Sequence, residues 1–470
     1  MGQCGVMETY FDNGVVRLFQ ADARAIPLAD QTVHCVVTSP PYYGLRIYAD
    51  NDDRGIGAET SVEDYIDNMV DVFREVWRVL RDDGVAWLNI GDSYSSQGGP
   101  LKYDGEKDIS LSAQHVENRR NANNEPPRDY QESRRGQGNV TPGNRMGVPE
   151  QLVMALQSDG WTWRDTIIWH KKSAMPESVV GWRWERCKVK VAERPPRGDT
   201  MEMGRAGGIG ALGVATNTNA EWTDCDGCDK CQSTDGLVLR RGSWRTTQAF
   251  EYIYMLTKGM GYFADGEPVR TDAKESSIQR MQSGWRGNKY RDDPSGGHNN
   301  LDMFLGSDKA KDLTTANRRS VWSDISGENY DGPHFATFPS DLPRICIQAS
   351  TSEGGCCSWC GAQYARVVDA TVSTSRQGVG WTNGEGTLRN DGDRPGSYDK
   401  PPTQTLGFRS TCGCDAPSMP TTVLDPFNGT ATTCIAAQRL GRRGVGVDIS
   451  GEYLEQSVKR LSDLTLPMQI

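Results

Sequence analysis

Asp425-Pro426-Phe427-Asn428-Gly429-Thr430-Ala431-Thr432 joins a short apolar run, 422–424, to a helix-like run, 432–440, and a second apolar run, 444–447, ends in Asp448. A strand, a glycine-bearing turn, a helix and a second strand closed by an acid about 20 residues past the glycine is the order of a nucleoside-binding Rossmann unit. The glycine lets backbone approach a ligand, and the acid accepts hydrogen bonds from both ribose hydroxyls. A pyrophosphate needs three glycines in that turn, and this one has a single glycine. A nucleoside without phosphates, such as S-adenosylmethionine, therefore fits better than a dinucleotide.

The same α/β rhythm runs through the rest of the chain. Apolar runs at 15–19, followed by Asp22, and at 33–38 read as strands. Val62, Ile66, Met69, Val70, Phe73, Val76, Trp77 and Leu80 recur at steps of three and four, which predicts an amphipathic helix closed by Asp83-Gly84. Further runs predict a strand at 85–90, a helix at 148–156, a turn at Asp159-Gly160, and strands at 163–170 and 250–256. Strands alternating with helices imply a parallel sheet whose ligands sit at the carboxyl ends of its strands. Residues 97–143, 270–320 and 370–405 are polar and hold too few apolar side chains to bury a core. There is no internal repeat.

The strand at 33–38 runs into Thr38-Ser39-Pro40-Pro41-Tyr42. An exocyclic base amine is a poor nucleophile because its lone pair is delocalised into the ring. Two acceptors for its N–H bonds, the Ser39 hydroxyl and the Pro40 carbonyl, would draw the nitrogen toward a tetrahedral geometry. Pro41 fixes the turn, and Tyr42 offers a ring on which a base taken out of its stack can lie.

These two motifs resemble those of the amino-group DNA methyltransferases, in the circularly permuted class where a Ser/Asp-Pro-Pro-Tyr motif precedes the S-adenosylmethionine loop. The resemblance implies a circularly permuted Rossmann-like α/β fold, to which the cysteine and Arg/aromatic patterns read below add zinc-binding and target-recognition insertions. It assigns catalysis to Ser39, Pro40, Pro41 and Tyr42, and cofactor binding to Asp425, Pro426, Phe427, Gly429, Thr430 and Asp448, with Asp22 as the acid near the adenine. Trp169-His170-Lys171, Pro176-Glu177-Ser178 and the segment His334-Phe335-Ala336-Thr337-Phe338-Pro339 also resemble family segments, the last as a cofactor-flanking stretch. Serine at the first catalytic position is commoner in enzymes acting on N4 of cytosine, and aspartate in those acting on N6 of adenine. Methylation at carbon 5 of cytosine needs a cysteine nucleophile after a proline, and the chain has no Pro-Cys pair. His170 is given no general-base role, since the leaving proton can pass to water.

Thirteen cysteines in clusters, without an export signal, suggest metal sites over disulfides. Cys357 and Cys360 with Cys412 and Cys414 have the spacing of a structural zinc ribbon, although Cys356 could replace Cys357. Cys225, Cys228 and Cys231 form a second cluster with Cys187 as fourth ligand. One or two structural zinc ions are expected, and Cys35, Cys346 and Cys434 read as packed core. Arg and Lys interleave with aromatics at 182–190, at Arg240-Arg241 with Trp244-Arg245, and at Trp285-Arg286 with Lys289-Tyr290-Arg291, which suits phosphates and flipped bases.

The domain plan that follows takes 1–95 and 419–470 as the two halves of the core, 96–147 as a polar loop and 148–180 as more core. Residues 181–330 hold the Cys cluster, target recognition and the core strand 250–256; 331–350 flank the cofactor; 351–418 are the zinc ribbon. Lys+Arg 52 against Asp+Glu 62 gives a net charge of -10, so nucleic-acid binding must come from local patches. No apolar run is long enough to span a membrane, and the chain reads as a soluble cytoplasmic protein. Double-stranded DNA is the expected partner, with room for a separate restriction endonuclease. RNA or protein methylation, and an inactive zinc-ribbon DNA-binding protein, are the rival readings; oligomeric state is not legible.

Overall fold

Val33–Thr38 is buried at all six positions, as a strand must be when helices cover both faces of its sheet. Residues described in the computed structural model are 9–44, 55–59, 61–95, 140, 143–172, 181–190, 222–273, 315–326, 338–369 and 404–465. Most of the polar stretches 97–143, 270–320 and 370–405 lie outside them, as do Pro176-Glu177-Ser178, Trp285-Arg286, Lys289-Tyr290-Arg291 and His334 to Thr337.

The chain forms two compact units, one of Met1–Lys171 with Phe250–Ile470 and the other of Lys172–Ala249. In chain order the first unit opens with β1 (Phe11–Asp12), β2 (Val16–Gln20), β3 (Val33–Thr38), α1 (Val62–Val79), β4 (Leu80–Ile90), α2 (Val148–Ser158) and β5 (Thr162–His170). The second unit holds β6 (Arg183–Arg186), β7 (Lys188–Lys190), β8 (Trp222–Asp224) and β9 (Leu237–Arg240). The first resumes with β10 (Phe250–Thr257), β11 (Thr271–Asp272), β12 (Thr315–Ala316), β13 (Val321–Trp322) and α3 (Asp341–Ser350). It closes with β14 (Cys356–Cys357), β15 (Ala365–Asp369), β16 (Gln404–Arg409), β17 (Ser418–Met419), β18 (Thr422–Asp425), α4 (Thr432–Arg439), β19 (Arg443–Asp448) and α5 (Gly451–Thr465).

Nine strands make the main sheet, in the order β1-β2-β19-β18-β3-β4-β10-β5-β13. From β2 to β4 all neighbours are parallel, and β10 runs antiparallel between β4 and β5. The carboxyl ends of β2, β19, β18, β3, β4 and β5 therefore share one edge with the start of β10. Alternating side chains build three layers: Val36, Leu88 and Leu424 face α1 and α2, whereas Cys35, Val37 and Val423 face α3 and α4. Ser61 caps α1 by accepting from the Asp64 N–H at 3.0 Å, and the buried stripe includes Tyr65, Met69, Phe73 and Val76.

Three sequence expectations change. Asp83-Gly84 does not end a helix; α1 stops at Val79, and β3 pairs Val33 with Leu80 and Cys35 with Val85, so residues 81–84 bulge out of a single strand. The second unit ends at Ala249, short of the boundary expected at 330. Val321–Trp322 instead forms an edge of the main sheet, parallel to β5, because buried Trp322 and Ile325 pack into the α3 layer.

Candidate active site

Both sequence motifs leave the same sheet edge, because β18 and β3 are parallel neighbours with Val423 beside Cys35 and Leu424 beside Val36. At that edge the Thr38 hydroxyl donates to Asp425 Oδ1 at 2.7 Å. Thr433 Oγ1 lies 2.8 Å from Asp425 Oδ2 and 3.1 Å from the Val37 carbonyl, and the Phe427 N–H donates to Oδ1 at 3.1 Å. Burial pushes the Asp425 carboxyl up to about 7, against the three donors that lower it. Asp425 is thus the pin between the two loops, and its side chain is turned into the protein.

The turn itself is tied from below. The Tyr65 hydroxyl donates to the Pro41 carbonyl at 2.9 Å. Ser39 Oγ donates toward Tyr42 Oη at 3.4 Å, and the Tyr42 hydroxyl donates to Glu251 Oε2 at 2.7 Å. Asn89 Nδ2 donates to the same carboxylate oxygen at 3.2 Å and to the Tyr252 carbonyl at 3.1 Å, while Lys171 Nζ bonds Oε1. Asp92, just past β4, accepts from the Gly147 and Val148 N–H groups at 3.1 Å each and pairs with Arg145. Gly147, at φ +66°, has no side chain to cap α2, and Asp92 does so from a neighbouring strand.

Around the glycine loop, Asp448 Oδ2 accepts from the Gly429 N–H at 2.7 Å and Oδ1 from the Ser450 N–H at 2.9 Å. A carboxylate offers about four lone-pair sites, so beside its backbone N–H donors Asp448 keeps capacity to accept from a ribose hydroxyl. Desolvation raises this carboxyl to about 6. Pro426 and Thr430 are buried and Phe427 is half-buried against the core. Gly429 has φ +49°, where glycine is unstrained, and Ala431 shares the left-handed region at φ +64°. Asn428 donates to Ser457 Oγ at 3.0 Å, Ser457 donates to the Gly429 carbonyl at 2.8 Å, and Arg460 Nη1 donates to Thr430 Oγ1 at 2.7 Å, so α5 grips the loop. Asp22, at the end of β2, forms an ion pair with Arg24 at 2.8 Å. Of these contacts, Asn89, Glu251, Ser457 and Arg460 had no local motif to announce them.

Each cysteine set expected to hold metal comes together. The sulfurs of Cys187, Cys225, Cys228 and Cys231 lie within 4.8 Å of one another, and so do those of Cys357, Cys360, Cys412 and Cys414. Cys228 Sγ is 3.8 Å from Cys187 Sγ and 3.7 Å from Cys231 Sγ, matching the sulfur separation of about 3.8 Å in tetrahedral zinc thiolate. The Lys230 N–H brings the Cys228 thiol down to about 7, and the Ser410 hydroxyl with the Cys414 N–H brings Cys412 down to about 6. Cys356 points the other way along β14, toward the Met419 carbonyl at 3.5 Å, which leaves Cys357 in the cluster. Cys35, Cys346 and Cys434 are buried, and burial pushes each thiol up.

In the second unit Trp182, Trp184, Trp222 and Trp244 are exposed. Arg241 stacks over Trp182 at 5.1 Å. Glu185 pairs with both Arg183 and Arg240, so this basic stripe is partly neutralised.

Comparison with known proteins follows the same residues. The family model described as DNA methylase (N6_N4_Mtase) matches 33–358 and 419–459, most of the chain, including both motifs. The Type II methyltransferase M.SmaI of Serratia marcescens is 26% identical over 447 residues, covering 95% of this chain and 90% of that protein. M.Cfr9I of Citrobacter freundii is 26% identical over 446 residues, 94% and 87% of the two chains. Over 152 residues, 32% of this chain and 29% of the other, identity to M.SfiI of Streptomyces fimbriatus reaches 40%. Among solved structures, the cytosine-N4-specific PvuII DNA methyltransferase covers 97% of this chain and 88% of its own, at 11% identity and TM-score 0.43. Among the described residues no helix is long and apolar enough to cross a membrane. The match of the family model across both loops settles the assignment: the chain belongs to the DNA methylase family, the amino-group (N6/N4) DNA methyltransferases.

Proposed function

We propose that the protein methylates double-stranded DNA at the N4 amine of a cytosine flipped out of the helix. The observation that carries this reading is the Thr38–Asp425 hydrogen bond, which holds the Ser39–Tyr42 turn beside the Asp425–Thr430 loop. S-adenosylmethionine, bound along that loop and at Asp448, would supply an electrophilic sulfonium methyl. Ser39 Oγ and the Pro40 carbonyl accept the two amine N–H bonds, which localises the nitrogen lone pair, and the Tyr42 ring supports the base. Attack forms the N–C bond as the S–C bond breaks, and the surplus amine proton passes to water. No covalent intermediate with the protein is formed. Positioning and these two preplaced acceptors supply the rate enhancement.

The order of the motifs, Ser39 to Tyr42 first and the glycine loop after it, supports the circularly permuted class. The two Cys4 sets fit structural zinc, one in each unit, and both are closed to substrate. The unit Lys172–Ala249, with its exposed tryptophans and Arg241 and Arg245, is the proposed target-recognition module. A separately encoded restriction endonuclease is the proposed companion, since the relatives are named Type II methyltransferases.

The test is incubation with unmethylated DNA and S-adenosylmethionine, nucleoside digestion and mass spectrometry. N4-methylcytosine is the expected product. N6-methyladenine would overturn the cytosine assignment drawn from Ser39, and no methylated base would overturn the reading as a whole.

A further inference from the structure

We propose that Glu251, held by Lys171, is a positioning residue that sets the direction of hydrogen bonding through Tyr42 and so turns the lone pairs of Ser39 Oγ toward the substrate amine. This inference rests on the amine-methylation reading above.

A hydroxyl has one proton to give and two lone pairs to offer, whereas a carboxylate only accepts. Glu251 Oε2 receives the Tyr42 hydroxyl at 2.7 Å and Asn89 Nδ2 at 3.2 Å, and Oε1 receives the Lys171 ammonium. The proton of Tyr42 is therefore committed to Glu251, and toward Ser39 its oxygen can only accept. Ser39 lies 3.4 Å away, so its own proton points at Tyr42 and its lone pairs face outward. With the chain reversed, the Ser39 proton would face the amine, and the N–H it should bind would meet a donor. Direction along the whole line is fixed by the one group that cannot donate.

The supports are held by the sheet. Asn89 lies in β4 and Glu251 in β10, and Lys171 follows the last residue of β5. Gly91 leaves the space the pair needs: a Cβ there would come within 2.9 Å of Tyr42 Cε2 and 3.3 Å of Glu251 Cγ. A line of side chains anchored on three neighbouring strands is more rigid than the turn it serves.

The experiment is a double-mutant cycle of Glu251→Gln and Ser39→Ala, read as single-turnover methylation rates, with cofactor affinity, DNA affinity and melting temperature measured alongside. In glutamine the carbonyl oxygen takes the Oε1 place beside the Lys171 ammonium, so the amide N–H₂ takes the Oε2 place, where it donates to Tyr42, displaces the Asn89 amide and reverses the line. Glu251→Gln should slow methyl transfer by about tenfold or more with both affinities unchanged. In the Ser39→Ala background the same change should alter the rate by less than about twofold. Tyr42→Phe, which cuts the line without touching Glu251, should show the same pattern and stands in if Glu251→Gln fails to fold. Equal losses in both backgrounds would mean a structural role only and overturn the inference, as would an unchanged rate. A wild-type protein that leaves DNA unmethylated would defeat the underlying reading instead.

Discussion

Asp425 carries the clearest electrostatic consequence of any single residue. Thr433 has one hydroxyl proton and lies within reach of both the Val37 carbonyl and Asp425 Oδ2. If it serves Val37, its lone pair can accept a proton carried on Asp425, and every group is satisfied. Burial raises the Asp425 carboxyl to about 7, so its stabilising contribution is complete below about pH 4 and is lost as pH rises through about 7. Asp425→Asn keeps an N–H toward Thr433 and should lose this dependence. The stability difference between wild type and Asp425→Asn should change by up to about 1.4 kcal/mol per pH unit between pH 5 and 7, read by urea denaturation. Taking the difference removes His34, whose burial pushes its ring down to about 4 and whose contribution has the opposite sign. Asp448 and Ser39 should separate binding from chemistry. Asp448→Ala should weaken S-adenosylmethionine by about tenfold or more in calorimetry. Ser39→Ala should leave that affinity intact and lower turnover by about a hundredfold. These residues were legible because each motif is contiguous and its chemistry is local. Glu251 was not, since its partners Tyr42, Asn89 and Lys171 come from three other segments, and only the strand order brings them together.

Among the elements, α5 does more than cover the sheet. Leu454 and Leu461 are buried in the layer over β2, and the same helix sends Ser457 and Arg460 to the glycine loop. Arg460→Ala removes its hydrogen bonds to Thr430 and Thr432 and should weaken cofactor binding by about tenfold while lowering the melting temperature by several degrees. The two cysteine modules should respond differently to damage. The ribbon of β14 to β17 is locked to the main sheet: His34 Nε2 donates to the Gly361 carbonyl at 3.0 Å, Arg81 Nη1 donates to the Cys360 carbonyl at 2.8 Å, and Arg366 pairs with Asp265 at 2.9 Å. Cys412→Ser should therefore cost one zinc per chain and destabilise the catalytic unit by several kcal/mol, whereas Cys228→Ser should cost one zinc and leave the main melting transition in place. Metal analysis with calorimetry checks both. Helices and strands with clear periodicity were legible in the sequence; β13 was not, because two residues of strand carry no period, and the bulge at 81–84 looked like a turn because its Asp-Asp-Gly is turn chemistry used inside a strand.

At the scale of the molecule, the net charge of -10 repels DNA, and affinity must be local. Phe250 lies opposite His170 on antiparallel strands, so the unit Lys172–Ala249 leaves and re-enters the sheet between adjacent neighbours. Replacing 173–248 with a short turn should keep S-adenosylmethionine binding and abolish DNA binding at physiological salt, measured by calorimetry and fluorescence anisotropy. The position of β18 and β19 has a different consequence, in time. They fill the gap between β2 and β3, yet they follow those strands by about four hundred residues, as the separation of 387 between Thr38 and Asp425 records. While the chain is being made, β2 and β3 must wait with open, apolar edges on either side of a missing centre. The ribosome has to deliver residues 419–465 before the sheet can close, so each nascent chain passes through a long interval in which it needs protection from its neighbours, and it cannot modify DNA until synthesis of that segment is done.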